Sequence, residues 1–149
     1  NGGLQRNMVP DFCQLIIDRR VVPGLETLEQ AKEEIEFILK EAVEKDPQLR
    51  LEMRTILEID AAEIPRDEKI VEVLVRAYEK ALRKEPVISG LVAFSDMHWL
   101  TNQGKIPTVM FGPGRVEEAH KTNEHVKICQ LIDAARVYTQ AIADLLGLV

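Results

Sequence analysis

The chain has 149 residues, 46% apolar and 30% charged, which is long enough to bury a sizeable core and too apolar for a disordered chain. Its 19 Lys and Arg are outnumbered by 25 Asp and Glu, and the bases are scattered among acids on helix faces, so no nucleic-acid partner is expected. No apolar run approaches the roughly 20 residues that cross a bilayer, and residues 1–6 lack the regions of a signal peptide, so the expectation is a cytoplasmic protein with no membrane partner. Cys13 and Cys129 each sit in an apolar pattern without CxxC spacing, and both are predicted to be small core residues in a reducing compartment.

The chain opens on Asn1-Gly2-Gly3 without an initiator methionine or a preceding cap, which predicts a start inside a larger fold. Residues 7–11 read as a turn, because Pro10 fixes its own φ and drives Val9 into an extended conformation. A strand is predicted over residues 12–19, followed by the Pro23-Gly24 loop. Thr27 and Gln30 form a capping box, and Leu28, Ala31, Ile35, Ile38, Leu39 and Ala42 recur at helical spacing until Asp46-Pro47. Leu49, Leu51, Met53 and Thr55 then alternate with Arg50, Glu52 and Arg54, as in a strand with one wet face.

The polar break at residues 60–65 predicts a domain boundary, giving domains 1–59 and 60–149. After it, Asp67 is the predicted cap of a helix burying Ile70, Val71, Leu74, Ala77, Tyr78, Ala81 and Leu82, which must end before Pro86. A strand is expected near residues 88–94. Ser95 or Asp96 would cap a brief helix ending near Gly104, and residues 108–111 form another buried strand. A final helix, about residues 125–146, is predicted to turn Val126, Cys129, Ile132, Ala135, Ile142 and Leu145 or Leu146 inward. Strands alternating with helices predict an α/β fold, a sheet layered between helices.

Between the last strand and the last helix lies a glycine-bent loop that carries His120, where an imidazole can face a site instead of a core. A loop histidine that only hydrogen-bonds backbone is the alternative. Gly112-Pro113-Gly114 lets a backbone pass close to a substrate, or is an ordinary strand exit; no Lys-Ser or Lys-Thr follows, which argues against a phosphate loop.

The order Gly2-Gly3, Asn7-x-Val9-Pro10-Asp11, Asp18-x-Arg20-x-x-Pro23-Gly24, Ser95-Asp96, Gly104-x-Ile106-Pro107, Phe111-Gly112-Pro113-Gly114 and Ala119-His120-x-x-Asn123-Glu124 resembles the acetylornithine deacetylase and succinyl-diaminopimelate desuccinylase family of zinc-dependent aminoacylases and carboxypeptidases. The likeness runs through the whole chain. It implies the C-terminal portion of a two-domain enzyme: residues 1–59 as the second half of an α+β, ferredoxin-like lid or dimerisation domain, and residues 60–149 as the last segment of a layered α/β catalytic domain. It further implies cleavage of the amide bond of an N-acylated amino acid or small peptide at two zinc ions, for which cobalt or manganese can substitute. No catalytic residue is expected in this stretch, because the glutamate general base and most metal ligands would lie upstream.

His120 matches the one C-terminal metal ligand of that family, and Arg20 and Asn7 match lid positions that contact substrate, where a guanidinium forks a carboxylate. Gly112 and Gly114 would border the substrate. Asn123 and Glu124 would support the histidine, although Glu124 also reads as a helix-start acid. Arg20 as a strand-end surface arginine and Asn7 as a turn asparagine are the plainer readings; Arg19, on the opposite strand face, is an internal control. Ser95 and Asp96 are explained by capping, His98 and His125 read as structural or surface residues, and Trp99 and Tyr138 as packing against the sheet. The implied partners are the missing N-terminal segment and a second copy joined through the lid. A non-catalytic folding or dimerisation module is the alternative function.

Overall fold

The computed structural model describes Asn7 and residues 9–148; Gly2 and Gly3 of the resemblance lie outside the described residues. The chain divides into two units, Asn1–Asp60 and Ala61–Val149.

In the first unit the capping box forms as the sequence predicts. Thr27 Oγ1 accepts from Gln30 N at 3.2 Å and Gln30 Oε1 accepts from Thr27 N at 2.9 Å, starting helix α1, Leu28–Lys45. Asp46 closes it, its N–H bonded to Ala42 O. Ala31 is buried, whereas Ile38, expected inside, is exposed beside Phe37. Arg19 ties the preceding extended segment to this helix region through Glu26 at 2.6 Å and Glu34 at 3.3 Å. On its far side, α1 and residues 51–53 border an open groove of about 420 Å3 floored by Leu39, Val43, Leu51 and Met53. Leu51 and Met53 line that groove, yet Leu49, Leu51 and Met53 are all exposed, so the buried face expected of residues 49–55 is not formed among the described residues.

In the second unit, helix α2, Lys69–Leu82, packs on helix α3, Ile128–Leu146. The core between them is Val73, Ala77, Val137 and Ala141, with Ala77 and Val137 wholly buried. Burying a valine of this kind contributes about 2 kcal/mol. Lys80 Nζ meets Asp144 Oδ1 at 3.2 Å along the same seam. The cap of α2 is Glu68, not Asp67, and no side chain accepts its first N–H groups.

The inward face of α3 differs from the one predicted. Ala134, Val137 and Ala141 are buried, whereas Cys129, Ile132 and Ile142 are exposed. The polar residues Gln130, Asp133, Arg136, Gln140 and Asp144 share one side of the helix, and the small residues at the edge of the apolar side allow the closest approach to Ala77, leaving the bulkier Ile132 and Ile142 outside. The helix also begins at Ile128, three residues later than expected from a start at His125, with Gln130 Oε1 reaching back to Lys127 N at 3.4 Å. Cys13 is exposed as well, so neither cysteine is a core residue.

The layered sheet is absent among the described residues. Residues 12–19, 49–55, 88–94 and 108–111 form no strand, and Cys13 alone makes an isolated bridge. A strand exists only when a neighbour about 4.8 Å away takes up its N–H and C=O groups, and these segments find no such neighbour among the described residues. Side-chain alternation encodes the extended backbone but not the partner. The elements formed among the described residues are all helices.

Candidate functional site

The candidate site is built on the segment that joins the α2–α3 core to the start of α3. Phe111 anchors its beginning. The ring stands edge-on to Tyr78, with centroids 6.2 Å apart, and to Tyr138, 5.4 Å apart, while the Tyr138 hydroxyl donates to Phe111 O at 2.5 Å. Tyr138, expected to pack on a sheet, instead fastens the mouth of this loop. Its phenol tip was the available signal, since a tyrosine at a core edge needs a polar partner.

Two glycines follow with different reasons for being there. Gly114 has φ +100°, a conformation that favours glycine. Gly112 lies outside that region, and a Cβ there would sit 3.8 Å from the Tyr138 hydroxyl, an ordinary contact. A short 3-10 turn, Val116–Glu118, then leads to His120. Arg115 Nε bonds Glu117 at 3.3 Å, and Glu117's carboxyl is held below its ordinary value by its own backbone N–H and by Arg115.

His120 is exposed, with φ +61°. A left-handed backbone costs a non-glycine residue about 1–2 kcal/mol, so it needs local support. Support comes from Glu124, whose Oε2 accepts from His120 N at 2.8 Å. Glu124 N in turn donates to Lys121 O at 3.1 Å, and Lys121 Nζ pairs with Glu118 at 3.4 Å, closing the turn around the histidine. Glu124 precedes α3 by four residues and belongs to this turn, not to the helix start. Asn123 is exposed and offers its carbonyl to His125 Nδ1 at 2.8 Å.

His120 is an exposed residue whose imidazole could give a nitrogen to a zinc-, cobalt- or manganese-type ion. Among the described residues no three His, Cys, Asp or Glu side chains gather to hold a metal. The fit is therefore that of a single ligand, not of a complete centre. His98 is buried, its ring tilted against those of Phe94 and Trp99 at centroid distances of 5.1 and 4.0 Å, with Nδ1 3.3 Å from Ser95 O. Ser95 Oγ accepts from Met97 N at 3.3 Å, as a cap does, ahead of a π-helical turn, Trp99–Gln103. A Cβ on Gly104 would lie 2.7 Å from Leu100 O, so this turn requires glycine at its exit.

Arg20 and Asn7 belong to the other unit. Arg20 is exposed and pairs with Asp18 at 2.7 Å, which raises its guanidinium above the ordinary value through the hydrogen bond first and the charge second. Asn7 is exposed in a turn.

The chain belongs to peptidase family M20/M25/M40, whose family model matches residues 8–144. Among its relatives are an acetylornithine deacetylase of Myxococcus xanthus, 27% identical over 98% of this chain and 36% of the relative, and the N-formyl-4-amino-5-aminomethyl-2-methylpyrimidine deformylase of Bacillus subtilis, 31% identical over 96% of this chain and 35% of the relative. An uncharacterized metallohydrolase of Methanococcus maripaludis is 29% identical over 89% of this chain and 34% of its own length. The chain thus spans about a third of the length of the curated relatives it matches. No solved structure gives a significant match.

Proposed function

We propose that this chain is the C-terminal portion of a metal-dependent hydrolase that cleaves the amide bond of an N-acylated amino acid or a related small amide. The observation that carries the reading is His120. In a chain of this family, an exposed histidine stands on a left-handed turn whose main-chain N–H is bonded by Glu124. The relatives named deacetylase and deformylase give the reaction class.

In this reading His120 supplies one imidazole nitrogen to a metal site, zinc by preference, whose other ligands and glutamate base come from sequence outside these residues. An ion held with the help of His120 would supply polarisation of the scissile carbonyl and activation of water. The contribution of the second unit is to orient the His120 ring and to pass the Gly112–Gly114 backbone beside the substrate; the first unit, taken by itself, offers Arg20 and Asn7 as groups able to contact a carboxylate or amide. Asp18 already neutralises Arg20 at 2.7 Å, so substrate capture requires that ion pair to be exchanged. The sheet expected of a peptidase of this kind would form when the extended segments meet strands from the remainder of the enzyme, with residues 1–59 acting in a lid that joins two copies.

The test is hydrolysis of N-acetyl, N-formyl and N-succinyl amino compounds by the full-length protein and its His120→Ala variant. The expected outcome is turnover of at least one class, reduced by two orders of magnitude or more in the variant. Full activity in the variant would leave His120 a loop residue.

A further inference from the structure

A histidine bound to a metal normally donates its second ring N–H to a carboxylate or a carbonyl, which fixes the tautomer. The carboxylate nearest in this turn does something else. Glu124 Oε2 is engaged with the His120 main-chain N–H at 2.8 Å, at the one residue of the turn that holds φ +61°. The turn bond from Glu124 N to Lys121 O and the Lys121–Glu118 ion pair keep Glu124 in place for this contact.

Resting on the reading of His120 as a metal ligand, we propose that Glu124 is a positioning residue that acts through the main chain. Its acceptor oxygen holds the left-handed backbone of His120 and so sets the direction in which the Cα–Cβ bond, and the imidazole beyond it, leaves the turn. What this role requires of residue 124 is an oxygen acceptor of the right reach, not a negative charge. Glutamine satisfies that requirement and alanine does not. A carboxylate that instead bound the metal, or took a proton from the imidazole, would fail as glutamine.

The experiment compares full-length wild type with Glu124→Gln, Glu124→Ala and His120→Ala. One readout is hydrogen-exchange protection of the His120 amide in metal-free protein, and the other is zinc affinity by competition with a chelator. The expected result is that Glu124→Gln keeps amide protection and binds zinc within about twofold of wild type, whereas Glu124→Ala loses the protection and binds about tenfold or more weakly. A Glu124→Gln variant as weak in zinc binding as Glu124→Ala would overturn the proposal, because charge would then be what counts. So would undiminished amide protection in Glu124→Ala. Unchanged zinc affinity in His120→Ala would sink the ligand reading on which the proposal rests, and the amide readout keeps that failure separate from a failure of the clamp.

Discussion

Gly112 and Gly114 flank the same proline, yet only Gly114 holds a left-handed backbone, at φ +100°. Gly114→Ala is expected to cost at least about 1 kcal/mol, while Gly112→Ala, whose Cβ meets only the Tyr138 hydroxyl at 3.8 Å, should stay within about 0.5 kcal/mol of wild type. Urea midpoints of the two variants check this, and equal losses would contradict it. The sequence marks both glycines as a loop signal but does not separate them, because φ is decided by where the loop must arrive, here toward His120. The His120 turn is legible only in part for the same reason. Histidine is one of the residue types enriched in left-handed backbone, but the acceptor that stabilises it is four residues away.

Helices α1 and α3 show why one element was readable and another was not. The ends of α1 are set by contacts within a few residues, Thr27 with Gln30 and Asp46 with Ala42, so local chemistry settles its bounds. The facing of α3 depends on α2, far away in sequence: its apolar side is broad, and the pattern does not mark whether the partner takes the small-residue edge at Ala134 and Ala141 or the bulkier part at Ile132 and Ile142. The seam they share also carries a pH dependence. Asp144 is held below its ordinary value, first by the Gln140 amide and then by Lys80. A carboxylate with a depressed folded pKa contributes stability that is fully present above its unfolded value, about 3.9, and is lost as pH falls through the folded value. The urea midpoint should therefore fall as pH drops below about 4, and Asp144→Asn should flatten that slope; a variant with the wild-type slope would contradict this role of Asp144.

At the scale of the whole molecule, the extended segments expose side chains that a sheet would cover. Leu15, Ile16, Val92 and Ile106 are all more than half exposed, as is Ile142 on the outward face of α3. Such surfaces associate in water, and the 149-residue chain is expected to sediment as oligomers and to lack hydrolase activity. A monomer over a wide concentration range, or measurable turnover by this chain alone, would contradict those two expectations respectively. The sequence pattern announces extended segments, but ladder pairing is a property of two segments, and alternation within one of them does not encode its partner. The most direct test of the central claim is metal stoichiometry of the full-length protein after equilibration with zinc, wild type beside His120→Ala. The expected result is the loss of about one equivalent in the variant, as for removal of one imidazole from a site that keeps about three protein ligands. An unchanged metal content would contradict it and leave His120 with no part in a metal centre.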